Sequence, residues 1–376
     1  MLSKTPSSPN IVPPEHQHSG KIDNANAVII KEDKMRARIF AVLAVLMVLL
    51  LVAGQCGAPA TPEAPAQAPA TEGGKQFKFA AIFPGVITDA DYNTLGYIGA
   101  TAVQSDLGLE MAYSESVAVP DVERVMREYI DNGFNIIFTH GGQFVSQTIA
   151  LAKEFPDVYF IGEGDSPVED PPPNFWIIDR NFHVGFYAIG ALAGKLTQTG
   201  KVGYIGGLTL PFSYAEVHAM EQAINDLGLD VEINPVWAGD FNDPTKAREL
   251  TQAMLSEDVD VIVGSLNLGM FGLFEAVKGA DRQVWATAKY VDKSNYAPDN
   301  YVTAVLYDWS TPLKDITQKI MDGETGGYYP MQFGSGFDIQ LPLKNVPPDL
   351  NDEISKLVED IKTGKIKVEK NTEPIE

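Results

Sequence analysis

The feature that most constrains this chain is an alternation that occurs twice. From residue 77 onward, apolar runs of strand length alternate with longer stretches of helical character. In the first series, strands are expected over 77–84, 109–117, 135–139 and 158–162, and helices over 93–107, 122–132 and 145–154. Asp121 is expected to cap the second of these helices and Gly133 to end it. In the second series, strands are expected over 201–206, 231–237, 259–264, 284–289 and 301–306, and helices over 183–196, 214–227, 244–255 and 271–278. Strands such as NIIFT and VDVIVG are apolar along their length. Both of their faces must be buried, which points to parallel sheets with helices on either side. At 376 residues the chain is too long for one ordinary domain and suits two. The expected fold is α/β with two lobes: lobe 1 over 76–180, completed by part of 305–345, and lobe 2 over 181–304, followed by a helix and tail at 346–376. Open parallel sheets bind ligands beyond the carboxyl ends of their strands. Ligand residues are therefore expected in the loops at 84–92, 139–144, 163–173, 207–214, 265–270, 288–296 and 307–311.

The chain before residue 76 reads as processing signal and tether. MRAR at 35–38 precedes an apolar run over 39–52, the order of a secretory signal peptide. That run is short for a membrane span, which takes about 20 residues. Residues 1–55 are read as leader, with Met35 an alternative start and an uncleaved anchor the competing reading. Cys56, the only cysteine, follows directly. LVAGQC at 51–56 resembles a lipobox, although Gln55 stands where a small residue is usual. Lipidation of Cys56 would anchor the protein at the outer face of the membrane, and cleavage without lipid is the alternative. Residues 57–75 are rich in Ala, Pro and Glu and cannot bury enough apolar surface to fold, so residues 56–75 read as a disordered tether.

A formal net charge of −22 excludes nucleic acid as a partner, because phosphate binding needs a basic face. The sequence carries no phosphate-loop, dinucleotide, zinc-protease or nucleophile-elbow motif. No catalytic residue, cofactor or metal is expected. His16 and His18 lie in the leader, and His140, His183 and His218 are isolated. His140 follows a strand and faces the expected cleft, where core packing or a ligand hydrogen bond suits it better than acid–base work. Asp89 and Asp91 read as acids near a helix N-terminus rather than as a catalytic pair.

AGDFNDPTK at 238–246, TQTGKVGYIGG at 197–207, DVIVG at 260–264 with the following 269–278, and DADYN at 89–93 with Gly99 in register together resemble the basic membrane protein family of bacterial lipoproteins. The resemblance spans about residues 77–345. It implies a two-lobed periplasmic-binding-protein type I fold, and members are associated with purine nucleosides or nucleobases. It implies a monomer that closes on a small molecule and passes it to the permease and ATPase subunits of an ABC importer. It also implies that Tyr92 stacks on the base. Ligand contacts are expected from Asp89, Tyr92, Asn93, Gln143, Phe144, Tyr214, Asn267, Met270, Lys289, Asp308 and Trp309. A second aromatic face is expected from Phe212, Tyr214, Met270 or Phe271. Asp308 and Trp309 read either as a cleft-facing pair or as a capping acid and a packed indole. Lys289 reads either as a ligand charge or as solvated. Nucleoside-binding members carry an acid after the strand at 284–289 and a lysine after the next one; this chain has WATAK and YDW there. The ribose-binding set is rewritten, so a purine nucleobase or nucleoside is the expected class, with a nucleobase or an unrelated small polar or aromatic ligand as the cargo these departures point to. A ligand-sensing surface lipoprotein, or a binder of a sugar or amino acid derivative, is the alternative reading.

Overall fold

The computed structural model describes residues 76–375. The leader, Cys56 and the tether lie outside the described residues. Among the described residues, thirteen strands form two sheets. The first series supplies β1 Lys78–Ile82, β2 Glu110–Ser114, β3 Ile136–Thr139, β4 Tyr159–Gly164 and β5 Phe175–Asp179. The second supplies β6 Lys201–Gly206, β7 Glu232–Trp237, β8 Val261–Ser265, β9 Trp285–Tyr290 and β10 Tyr301–Tyr307. Three short strands follow: β11 Gly327–Pro330, β12 Gln332–Phe333 and β13 Gly336–Ile339. The lobe 1 sheet runs β11-β5-β4-β3-β1-β2 and is parallel throughout. The lobe 2 sheet runs β12-β13-β10-β9-β8-β6-β7, with the β10–β13 pair antiparallel. Strand β5 was not expected: its run FWIID directly follows PPPN and a long polar stretch that reads as loop.

The helices are α1 Tyr92–Leu107, α2 Val122–Asp131, α3 Val145–Glu154, α4 Phe182–Leu196, α5 Pro211–Asp226, α6 Pro244–Ser256, α7 Met270–Lys278, α8 Ser310–Met321 and α9 Pro348–Lys362. Gly133 ends α2 at φ +82°, and the Phe134 and Gly133 N–H groups donate back to the carbonyls of Tyr129 and Ile130. Asp121 does not cap that helix. It closes a preceding 3-10 turn, and its carboxylate meets Arg124 at 3.4 Å instead.

The chain crosses between the sheets three times. Arg180 and Asn181 join β5 to α4, Asp308 and Trp309 join β10 to α8, and Met331 joins β11 to β12. After the second crossing, α8 packs against α1 of lobe 1 and β11 joins the lobe 1 sheet. Strands β12 and β13 then return to lobe 2. The α1–α8 contact is close because α1 carries Gly99, where a Cβ would lie 2.8 Å from the Trp309 carbonyl carbon. Among the described residues, no helix is long and apolar enough to cross a membrane. The tail after α9 carries little periodic pattern of its own. It is held to both lobes by hydrogen bonds to Gln222, His218, Asp165 and Asp179.

Candidate ligand site

Both sheets point the carboxyl ends of their parallel strands at a common cleft of about 830 Å³. Lobe 1 contributes Pro84 and Gly85 after β1, Gly142 and Gln143 after β3, and Asp165 and Ser166 after β4. Lobe 2 contributes Leu208 and Leu210 after β6, Phe241 and Asn242 after β7, Asn267 after β8, and Tyr290 at the end of β9. Arg180 and Phe182 line it from the first crossing. Six of the seven loops expected to carry ligand residues thus reach the cleft, and 307–311 does not.

The lobe 1 wall is built on the start of α1. The Asp89 carboxylate accepts the backbone N–H groups of Asp91, Asn93 and Thr94, all at 3.0 Å, so it caps the helix. It also holds the Asn93 side-chain amide at 2.7 Å, which aims that amide at the cleft. Tyr92 stacks on His140 with ring centroids 3.9 Å apart and meets the edge of Trp309 at 5.3 Å. Its hydroxyl donates to Glu163 Oε2 at 2.7 Å and accepts from Arg180 Nη1 at 3.3 Å. His140 Nε2 donates to the Tyr92 carbonyl at 2.9 Å, and Nδ1 meets Glu163 Oε1 at 2.5 Å, so one proton lies between that pair. Arg180 grips Asp165 through Nε at 3.1 Å and Nη2 at 2.7 Å. Burial opposes the Arg180 charge, but Asp165, Tyr92 and Glu163 raise its pKa further above the ordinary arginine value.

The lobe 2 wall is aromatic. Phe212 and Phe241 stack with centroids 6.2 Å apart and 19° between planes, and Phe182 meets Phe212 edge-on at 5.5 Å. Gly207 admits Phe241, whose ring lies 2.2 Å from where a Cβ would stand. Tyr290 holds φ +79°, a strained conformation for a bulky residue at a site of this kind. Asn267 is buried against the cleft, and its Oδ1 has no protein partner. Beneath the aromatics, Lys289 Nζ donates to Glu216 Oε1 at 2.5 Å and to Ser265 Oγ at 3.3 Å. Burial lowers the Lys289 pKa, and Glu216 opposes that. A second buried pair spans the lobes: Lys293, in the loop after β9, donates to Asp91, in the loop before α1. Burial pushes the Asp91 carboxyl up to about 7 against the pull of Lys293.

Of the expected ligand residues, Tyr92, Asn93, Gln143 and Asn267 line the cleft. Asp89 lies behind Asn93 and Trp309 behind Tyr92. Phe144 is fully buried in the lobe 1 core and Met270 in the lobe 2 core, where apolar neighbours claim them. Tyr214 packs edge-on against Trp237 at 5.7 Å. Lys289 is neither solvated nor free for a ligand, because Glu216 neutralises it in the interior. Asp308 accepts the N–H groups of Ser310 and Thr311 and caps α8, and Trp309 is a packed indole. For the second aromatic face, Phe212 lines the cleft and Phe271 packs on Tyr296 instead. Sequence reading missed Arg180, Asp165, Phe182, Phe241 and Tyr290. Phe241 had a signal, since it sits inside AGDFNDPTK; Asp243 of the same segment caps α6 by accepting the Lys246 N–H at 2.9 Å.

The model of PnrA-like ABC transporter substrate-binding proteins (Bmp) matches residues 77–372. The chain belongs to this family. A purine-binding protein of Brucella abortus is 27% identical over 266 residues, covering 69% of this chain and 72% of that protein. Basic membrane protein A2 of Borrelia garinii subsp. bavariensis is 26% identical over 308 residues, covering 80% and 90%. Among solved structures, an ABC transporter solute-binding protein from Conexibacter woesei superposes with a TM-score of 0.64 at 23% identity, covering 79% of this chain and 100% of that one. The two-lobed α/β architecture is that of ABC solute-binding proteins, whose partners are a small ligand and an ABC permease with its ATPase. The family is one of solute-binding proteins rather than enzymes. Among the described residues, no group of three or more His, Cys, Asp or Glu side chains stands together to hold a metal ion.

Proposed function

We propose that this protein captures a neutral, flat heteroaromatic molecule, a purine nucleobase, by closing its two lobes, and that Cys56 tethers it by lipid to the outer face of the cell membrane. The observation that carries this reading is the pairing of aromatic faces with amide edges. Tyr92 from lobe 1, with Tyr290 resting against it at 6.0 Å between ring centroids, and Phe212 and Phe241 from lobe 2 line a slot together with Asn93, Gln143 and Asn267. Rings stack on rings, and amides pair with the donors and acceptors at a base edge.

The charge arrangement supports a neutral ligand. Arg180 is paired with Asp165 and Lys289 with Glu216. A charged ligand would enter a site whose buried charges are already matched, and one partner would be left uncompensated. The lack of a free acid after β9, where the resemblance places the one that holds ribose, supports a base over a nucleoside. Tyr290 and Tyr307 end β9 and β10, and the first acid after β9, Asp292, accepts from the Ser294 N–H and from Gln340. Closure supplies the transport signal: the ligand stabilises the closed form, and the permease reads that form. Titration with hypoxanthine, adenine, inosine and adenosine tests this. The bases should bind one per chain and the nucleosides at least tenfold more weakly. Equal or tighter nucleoside binding refutes the base assignment.

A further inference from the structure

Apart from the loops that form the cleft, one segment ties the two lobes together at its edge. Past α9 the chain runs back across the molecule and fastens to lobe 2 on α5. The Lys367 carbonyl accepts from Gln222 Nε2 at 2.9 Å, and the Glu369 N–H donates to Gln222 Oε1 at 2.9 Å. The Glu373 carbonyl accepts from His218 Nε2 at 3.0 Å. Between these anchors, Lys370 reaches into lobe 1. Its Nζ donates to the Asp165 carbonyl at 2.6 Å and to both Asp179 carboxylate oxygens at 2.7 and 2.8 Å. Asp179 is the last residue of β5, immediately before the first crossing, and Asp165 is the partner of Arg180. Lys370 thus holds the chain on either side of the Arg180–Asp165 pair. It and Thr372 also wall a small cavity with Asp165, Phe182 and Phe212, three residues that line the ligand cleft.

A segment without helix or strand frays unless tied down. This one is tied at both lobes, and the ordered lysine is held by charge-assisted hydrogen bonds that offset the rotamer entropy it loses. We propose that residues 366–375 form a strap in which Lys370 is a positioning residue: it fixes the Asp165–Arg180 pair at the cleft edge and couples the first crossing to α5, so that this segment restrains lobe opening. The restraint itself does not depend on the identity of the ligand; its effect on affinity rests on the purine reading above.

The test uses the full chain carrying Cys56→Ser, with spin labels at Asp131→Cys on lobe 1 and Ala253→Cys on lobe 2. Interlobe distances are measured without ligand, and hypoxanthine binding is measured separately. Lys370→Met should broaden the distance distribution toward longer values and weaken hypoxanthine about tenfold. Lys370→Arg should restore most of both. Gln222→Ala, which removes two of the three lobe 2 anchors and leaves the His218 bond, should broaden the distances in the same direction as Lys370→Met. Lys367→Met removes a positive charge from the same segment but leaves every anchor in place, and should change neither readout. An unchanged distance distribution in Lys370→Met and Gln222→Ala overturns the strap. Broadened distances in a protein that binds no purine support the strap and refute the purine reading instead.

Discussion

Tyr92 does two jobs that single substitutions can separate. Its ring forms the lobe 1 face of the slot, and its hydroxyl ties Glu163 to Arg180. Tyr92→Phe keeps the ring and should bind a purine base within a few-fold of the unsubstituted protein. Tyr92→Ala should lose about 1–3 kcal/mol of binding, the range for stacking of an aromatic side chain on a base, and isothermal titration reads both. Asn267 offers a cleaner case. Its Oδ1 is buried without a protein partner, so the fold gains nothing from it. Asn267→Ala should leave the melting temperature unchanged or slightly raised while weakening base binding about tenfold, because only the bound ligand satisfies that oxygen. A fall in melting temperature with unchanged affinity would place Asn267 in the scaffold. At this scale the sequence was a partial guide. Tyr92 and Asn93 were legible because they sit in a recognisable loop segment. Lys289 was not, because its state is decided by Glu216, 73 positions away.

At the scale of elements, most of the alternation was legible, since apolar strands and capped helices are local signals. The exceptions were local too: β5 is hidden behind PPPN, and β11 to β13 are too short for a period to register. What sequence could not give was how elements meet. TQTGK and DVIVG, two of the segments that carried the family resemblance, lock each other far from the ligand. Asp260 accepts from the Thr197 hydroxyl at 2.5 Å and from the Gln198 N–H at 2.8 Å. The contact of α1 with α8 makes a direct prediction. Gly99→Ala would drive a Cβ against the Trp309 backbone, and a backbone shift of that kind costs about 1–3 kcal/mol, measurable by urea unfolding. The loops joined by Asp91 and Lys293 make another. With Lys293 held against it across the lobes, Asp91 is raised from 3.8 to about 7 by burial, with Lys293 and Lys289 opposing and Asp89 adding to the rise. On opening, its carboxylate returns to water and to its ordinary value. Between about pH 4 and pH 7 the closed form therefore holds a proton that the open form has released. Closure and affinity should weaken as pH rises through that window and level off above it. Calorimetry at pH 6 in buffers of different ionisation enthalpy should show proton uptake on binding, and Asp91→Asn should abolish it.

At the scale of the molecule, two α/β lobes and a cleft at the carboxyl ends of their strands follow from the duplicated alternation, and the loops facing the cleft were largely those that topology selects. The three crossings were beyond reach, because nothing local marks where a chain changes sheets. Two of them nonetheless organise the site: Arg180 lies in the first and Trp309 in the second. The long-range pairs that fasten the lobes, Asp91 with Lys293 and Lys370 with Asp179, join residues 202 and 191 positions apart. The central claim is that this cleft closes on a neutral purine base. Isothermal titration of the purified protein with hypoxanthine at neutral pH tests it most directly, with inosine and glucose run alongside. One hypoxanthine should bind per chain saturably, inosine more weakly, and glucose with no measurable heat. Saturable glucose binding with no response to hypoxanthine or adenine would contradict it.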